Sequence, residues 1–468
     1  MIILGIETSC DETAVSIIEG DYPRESAPSS SAEIRVLGNA LYSQIKIHEK
    51  YGGVYPMLAK REHSKNLVPL LKNAMEEAGL KNPKSEARNP KQTKPNGENS
   101  KFKTKKEKVE KILEREPELL KDFLEFMETS EKPPIDAIAV TNGPGLEPAL
   151  WVGVNFAKAL SEVWDAPIVP VNHMEGHIFA SLLQKRSEEN SKSEARNPKQ
   201  TKPNGENSKF QTGNQEFLIS NFQFPVLALL ISGGHTELVY SEDWFKYKII
   251  GKTRDDAVGE AFDKAARIMG LPYPGGPSIS AKAEIARTNA DLTQKNADKE
   301  AMGFLLRQSA WSLRESALLR LPRPMLHSKD FDFSFSGLKT ALLYAVKKMP
   351  PLSEDDKKNI SREFEDAVVE VLVSKTKKAL KEFPAKTLVL GGGVTANKEI
   401  RKNFEKLAEE FSGLKLFIPQ IDHSTDNSIM IALSGLIRLQ KGALQKGDGE
   451  KMVAEGNLTI ATEERNMP

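Results

Sequence analysis

The sequence predicts an α/β protein built from two related lobes that face each other across a central cleft. Three repeated patterns carry this expectation. A strand, a tight polar turn and a second strand open the chain in IILGIETSCDETAVSIIEG and recur near residue 226 in VLALLISGGHTELVYS. A strand, a glycine loop and a helix occur in AIAVTNGPGLEPALWVGVNFAKALSEV and again in TLVLGGGVTANKEIRKNFEKLAEE. A strand, a polar corner and a helix occur in PIVPVNHMEGHIFASLL and again in KLFIPQIDHSTDNSIMIALSGLI. The order of elements is shared by the two halves while the residues differ, as a duplicated fold would leave it. By analogy this is the actin, sugar kinase and heat-shock architecture. Ligands of open α/β sheets sit beyond the carboxyl ends of the strands, and every glycine-rich or polar corner above falls at a strand end or hairpin turn. Fold alone does not give function.

On this reading residues 1–172 form the first lobe, with an insert over about 81–133 and a closing helix supplied by 426–441. Residues 173–425 form the second lobe, with a disordered insert over about 186–220, and 442–468 form a C-terminal tail. The inserts contain the segment KSEARNPKQTKPNGENSKF twice, letter for letter, at 84–102 and 192–210. It carries five Lys/Arg against two Glu and only its final Phe is strongly apolar, so it cannot bury enough surface to offset its ordering entropy. Inert loops are the expected reading and basic arms touching RNA the minority one. After the first copy, Ile112, Leu113, Leu120, Phe123, Leu124 and Met127 recur at the spacing of an amphipathic helix.

Bulk properties bound the remaining classes. Apolar residues at 39% and charged residues at 28% match an ordinary soluble protein with ample core. No apolar run reaches membrane-spanning length, and MIILGIETSCDET lacks a basic leader and turns polar within a few residues, unlike a signal peptide. A single cysteine, Cys10, excludes intramolecular disulfides and fits a reducing cytoplasm. A net charge of +1 means that nucleic-acid contacts must come from a local patch or a partner.

The corners carry the chemistry. In VPVNHMEGH, His173 and His177 stand four apart, and on a helix they share one face and can present their rings to one ion. The zinc-peptidase motif H-E-x-x-H needs a glutamate directly after the first histidine. Met174 occupies that place, and Glu175 lies about half a turn off the histidines' face, which leaves it a bystander. The pseudo-equivalent corner of the other half is DHSTDNSIM, so Asp426 is expected to complete the metal site from the opposing lobe, its alternative role being a helix N-cap. Two histidines and a carboxylate with open positions suit iron(II) or zinc.

Three glycine corners in the second half suggest a nucleotide cradle: SGGHT (Ser232, Gly233, Gly234, His235, Thr236), LGGGVTAN ending at Asn397, and YPGGPSIS with Gly275 and Gly276. Backbone N–H groups at such corners can approach an anion, although none matches the P-loop. Asp263, in GEAFDKAARIMG, could accept from ribose hydroxyls; its alternative is a solvated helix charge. ETSCDET places Glu7, Asp11 and Glu12 at the first hairpin turn, fit for ligating metal-bound water or for general-base work, with turn-forming polarity as the alternative.

Together GIETSCDET, YGGVYPMLAKREH, NGPGL, NHMEGH, SGGHTEL, GEAFDKAARIMGLPYPGGP, DFSFSGLKTAL, GGGVTAN and STDNSIMIA resemble the tRNA threonylcarbamoyladenosine transferase family, members of which were earlier labelled O-sialoglycoprotein endopeptidases. The resemblance runs from residue 1 to about 440, interrupted by the two inserts. It implies transfer of a threonylcarbamoyl group from threonylcarbamoyl-AMP to N6 of adenosine 37 in tRNAs that read codons starting with A. It also implies one divalent metal per subunit, iron(II) before zinc, on His173, His177 and Asp426, and substrate contacts at Ile231, Ser232, Gly233, Gly234, His235, Asp263, Gly276 and Asn397. Asp11 or Glu12 is the candidate for moving the proton. Expected partners are tRNA, a non-catalytic paralogue and a small ATPase, with no membrane, in the cytoplasm. Glu147 and Pro148, and His423 and Ser424, depart from the family's usual residues. A metallopeptidase, a small-molecule kinase of the same fold and a scaffold paralogue are the rival readings.

Overall fold

The computed structural model describes residues 1–21, 32–80, 98–185, 215–219, 223–297, 319–444 and 447–462. The second copy of the duplicated segment, and the first copy up to residue 97, lie outside the described residues, and with them the expectation of disorder there. The chain divides into two compact units: Met1–Gln44, Val54–Asn221 and Asp426–Thr459 form one, and Ile45–Gly53, Phe222–Thr425 and Ile460–Pro468 the other.

The first unit is built on seven strands: β1 (Ile2–Glu7), β2 (Glu12–Gly20), β3 (Ala32–Ser43), β4 (Ala137–Gly143), β5 (Ile168–Asn172), β6 (Leu183–Lys185) and β7 (Gln215–Ile219), in the order β5-β4-β1-β2-β3-β7-β6. β1, β2 and β3 run antiparallel, whereas β4 pairs parallel with β1 and β5 parallel with β4. The second unit holds β8 (Val226–Ile231), β9 (Thr236–Asp243), β10 (Lys246–Lys252), β11 (Thr387–Gly391) and β12 (Lys415–Phe417), in the order β10-β9-β8-β11-β12. Here too the first three strands are antiparallel and the last two add in parallel. Read from the far edge, β5-β4-β1-β2-β3 and β12-β11-β8-β9-β10 are the same scheme. The duplication legible in the sequence is thus a duplication of strand order and direction.

The central strands are apolar throughout because both faces are covered. β8 is buried at all six positions, and β1 at every position after Ile2. Helix Ser428–Gln440 packs on β1, β2 and β4. Its sequence, SIMIALSGLIRLQ, is apolar around most of its circumference up to Arg438, the mark of a largely buried helix. A methyl added at Gly5 of β1 would stand 2.3 Å from the Ser428 carbonyl oxygen, and one at Gly435 would stand 2.5 Å from Ala139 Cβ. Helix and sheet therefore touch at a spacing that a side chain at either glycine would break.

Helix Glu147–Trp164 shows why the residues at 147 and 148 are tolerated. They occupy its first turn, where a carboxylate complements the helix dipole and a proline loses no bond. The expected amphipathic helix of the first insert is two helices, Glu98–Ile112 and Pro117–Thr129. Pro117 lacks the N–H needed to continue a helix and starts a new one. Leu113, Phe123 and Met127 enter the first unit's core, and Ile112, Leu120 and Leu124 pack at its edge.

Two expected boundaries move. Residues 173–185 and β7 belong to the first unit, because helix His173–Ala180 packs on helix Ser428–Gln440 and β7 pairs with β3. The chain leaves this unit at 221/222 and not at 172/173. Residues 442–468 are not one tail. Met452 and Ala454 are buried in the first unit's core, with Lys158 Nζ donating to the Met452 carbonyl at 2.7 Å. Ile460 is buried, and Thr462 and Tyr247 pair within the second unit. Among the described residues no helix is long and apolar enough to cross a membrane.

Candidate active site

β5 ends at Asn172, whose side chain accepts from the Met174 N–H at 2.9 Å and so caps helix His173–Ala180. The cap sets His173 and His177 on one face, with ring centroids 4.7 Å apart and nearly perpendicular. Asn427 caps helix Ser428–Gln440 in the same way, accepting from Met430 N–H at 3.0 Å. Asp426 is thereby released from the capping role its position suggested. Its Oδ1 lies 3.3 Å from His173 Nε2 and 3.2 Å from His177 Nε2. One donor atom from each of the three residues falls within 4.8 Å of the others. The sequence expectation drew Asp426 from the opposing lobe, but Asp426 begins the third segment of the first unit, so one unit holds all three groups.

The electrostatics are those of a compact charged cluster. Burial alone would depress His173, but Asp426 and Glu7 outweigh it and raise the imidazole to about 10. Burial would raise Asp426; the two histidines outweigh it and hold the carboxylate below its usual range. His177 is pushed down, chiefly by burial. Both of its ring nitrogens are buried with no hydrogen-bond partner, the 3.2 Å approach to Asp426 lacking hydrogen-bond direction. An unpaired buried polar group costs about 1–3 kcal/mol. A divalent cation on Nε2 would remove that deficit for one nitrogen, and two imidazoles with a carboxylate are a donor set zinc and iron(II) accept. The residues fit such an ion.

Asp11 and Glu12 stand at the β1–β2 turn, as expected. Gln44 N–H donates to the Asp11 carbonyl at 2.9 Å, and Ser43 Oγ to Glu12 Oε1 at 3.3 Å. Burial, then Asp11 and Asp426, push the Glu12 carboxyl well above the ordinary carboxylate range. His63, from the helix Pro56–Glu77, pins this turn: its Nδ1 is 2.7 Å from Thr13 Oγ1 and its Nε2 3.1 Å from the Cys10 carbonyl. A single buried histidine in a helix carries no sequence signal for that task.

In the second unit, Ile231 is fully buried at the end of β8, and Ser232–His235 form a closed turn. Ser232 N–H donates to the His235 carbonyl at 2.9 Å, and His235 N–H to Ser232 Oγ at 3.1 Å. Gly233, Gly234 and Gly276 have nothing within 4 Å of where a Cβ would stand. Gly259 and Gly392 are the opposite case. A Cβ on Gly259 would meet the Ser232 carbonyl oxygen at 2.7 Å, and one on Gly392 (φ +93°) would meet that of Ile231 at 2.4 Å. The hairpin turn, the start of helix Val258–Ile268 and the loop after β11 are thus packed backbone to backbone. Asp263 Oδ1 accepts from Gly275 N–H at 2.6 Å. Asn397 is engaged at both ends of its amide, capping helix Lys398–Glu409 through Ile400 N–H at 2.9 Å and donating to Ser280 Oγ at 2.8 Å and Glu365 Oε1 at 2.6 Å. Sequence reasoning offered Asp263 as a ligand contact or a solvated helix charge and Asn397 as a ligand contact; in the structure each braces the corner it stands on.

Glu175 corrects the sequence expectation more sharply. It is fully buried and meets Arg438 in a two-pronged pair, Nε to Oε1 at 2.6 Å and Nη2 to Oε2 at 2.9 Å. It therefore clamps the helix carrying the histidines to the helix that follows Asp426. Its place off the histidines' face was the available signal; its partner, 263 residues away, was not legible.

Known proteins resemble this chain over most of its length. The family described as tRNA N6-adenosine threonylcarbamoyltransferase matches residues 35–87, 110–191 and 211–433. The protein of that name from Herminiimonas arsenicoxydans is 35% identical over 441 residues, 94% of this chain and 92% of its own. The one from Thermosipho africanus is 35% identical over 442 residues, 94% of this chain and 96% of its own. Among solved structures, the ROK hexokinase of Thermus thermophilus aligns with 94% of this chain and 100% of its own at 11% identity and a TM-score of 0.34. Full-length HypF aligns with 70% of this chain and 51% of its own at 15% identity and a TM-score of 0.36. On the extent of the sequence matches, the chain belongs to the tRNA N6-adenosine threonylcarbamoyltransferase family.

Proposed function

We propose that this protein transfers the threonylcarbamoyl group of threonylcarbamoyl-AMP to N6 of adenosine 37 in tRNAs reading codons that start with A, releasing AMP. In a chain of this family, the observation that carries the mechanism is the cluster of buried His173 and His177 with the half-buried Asp426, the His177 nitrogens being left unpaired. These residues would hold one divalent metal, iron(II) before zinc. Such an ion, when bound, supplies Lewis acidity toward an acyl oxygen.

The rest of the work falls to the chain's own groups. The Ser232–His235 turn offers open backbone at Gly233 and Gly234 to a phosphate. Ile231, Asp263, Gly276 and Asn397 would hold the nucleoside. The donor already carries a good leaving group, so these residues need mainly to position it and exclude water. An adenine amine is weakly basic and gives up its proton late, so a strong base is not required. Asp11 or Glu12 would take that proton. Burial pushes the Glu12 carboxyl upward, which makes it a better proton acceptor than an ordinary carboxylate. Partners in this reading are tRNA, a non-catalytic paralogue and a small ATPase, in the cytoplasm, with a separate enzyme supplying the activated donor.

The test is transfer of labelled threonine onto unmodified tRNA by the purified protein and its partners, with and without chelator. Label should enter tRNA, and both chelator and His173→Ala should lower the rate at least 100-fold. A His173→Ala protein that kept full activity in chelator would end the metal assignment. A peptidase reading finds no support at Glu175, whose carboxylate is buried against Arg438.

A further inference from the structure

Glu7 ends β1 and is the sole charged residue of that strand, IILGIE. It is fully buried. Its Oε1 accepts from Ser9 N–H at 2.5 Å, and its Oε2 accepts from Thr141 Oγ1. The same Oε2 lies 3.2 Å from His173 Nδ1. On the other edge of that ring, Nε2 faces Asp426 at 3.3 Å. The two nitrogens of His173 thus look at two different carboxylates, one of which belongs to the proposed metal set.

We propose that Glu7 is a positioning residue for the metal centre: it accepts the Nδ1–H of His173, fixes that tautomer and the plane of the ring, and so keeps the Nε2 lone pair turned toward the ion. The inference rests on the metal reading above and assigns Glu7 a part in it. Three features support it. A histidine that ligates through one nitrogen needs its other N–H bonded, and a carboxylate is a common acceptor. Glu7 is itself held by Ser9 N–H and Thr141 Oγ1, so it can hold the ring in turn. It reaches His173 from β1, outside the helix that carries the histidine, so the ring is braced from a second element. Ser9 Oγ, also 3.2 Å from Nδ1, is the competing orienter.

The experiment compares parent, Glu7→Gln and Ser9→Ala by zinc titration against a chromophoric chelator, and reads from the 15N shifts of each zinc-loaded protein which His173 nitrogen keeps its proton. Circular dichroism and thermal melts establish that each variant is folded. Glu7→Gln keeps the shape and an acceptor oxygen but loses the charge. It should weaken zinc binding about 10–100-fold and mix the His173 tautomers, while Ser9→Ala should change binding less than threefold. A folded Glu7→Gln protein with the parent's zinc affinity and the parent's tautomer refutes the proposal. So does a loss confined to Ser9→Ala. If Glu7→Gln does not fold, Thr141→Val carries the test, since it frees one oxygen of Glu7 without touching the histidine. A several-fold loss of zinc affinity is then expected, and none refutes the idea. A parent protein that binds neither zinc nor iron(II) would instead overturn the metal reading itself.

Discussion

The pair Glu175–Arg438 allows the most exacting test of how the site is held. Glu175→Gln keeps the side-chain volume and removes one charge. The change leaves a guanidinium facing a neutral amide where it had two charge-assisted bonds at 2.6 and 2.9 Å. Breaking a buried ion pair by removing one partner costs about 3–5 kcal/mol. The Glu175 side chain is fully buried, but that of Arg438 is 22% exposed, so water can recover part of the loss and the lower end, about 3 kcal/mol, applies. In a domain of about 250 residues each kcal/mol moves the midpoint by about 2–4 °C, so calorimetry should show the first unit melting about 6–12 °C lower. The pair also joins the helix that carries the histidines to the helix that follows Asp426, so zinc affinity should fall with stability. A Glu175→Met/Arg438→Met double variant should regain much of the lost stability, since replacing both charges removes the stranded one. A Glu175→Gln midpoint within 1 °C of the parent would refute the clamp, and a double variant no better than the single would refute the account of its cost.

Two further perturbations test the packing and the second unit. Gly5→Ala should destabilise by about 3 kcal/mol in urea titration, because its Cβ would meet the Ser428 carbonyl at 2.3 Å and backbone cannot step aside; Gly233→Ala, with open space at its Cβ, should leave stability unchanged. Asp255 supplies the pH dependence. Burial would raise its carboxyl, but bonds from Ser334 and Ser336 hydroxyls and from the Phe335 and Ser336 N–H groups outweigh it and hold it below the ordinary value. A folded value below the unfolded one means stability that is present above about pH 3.9 and lost as pH falls toward the folded value. The urea midpoint of the parent should therefore fall on acidification through this range more steeply than that of Asp255→Asn, and parallel curves would reject the assignment.

The sequence was legible wherever structure is written in local pattern. The two hairpins, the two strand–glycine loop–helix units and the two strand–corner–helix units can each be read from apolar runs and turn residues over a few tens of positions. Their shared order predicted a duplication that the strand orders bear out. The histidine pair was legible for the same reason, since spacing of four on a helix is a local fact. The break at Pro117 was equally local and was missed because apolar spacing was weighed above the proline.

What stayed hidden depends on partners far apart in the chain. Nothing near Glu7 indicates that Thr141 and His173 will stand against it, and nothing near Glu175 indicates Arg438. The unit boundary shows the same limit. The closing helix expected at 426–441 does fall in the first unit, as helix Ser428–Gln440, but a boundary drawn at 172/173 assigned helix His173–Ala180 to the second lobe. The structure puts both in the first unit, and Gly5 and Gly435 explain how: they clear the surface on which the later helix rests against β1 and β4. That placement brings Asp426 to the histidines from the same unit. The proposed metal triad therefore depends on two glycines outside it, and a methyl on Gly5 should disturb the position of Asp426 as surely as it disturbs the core.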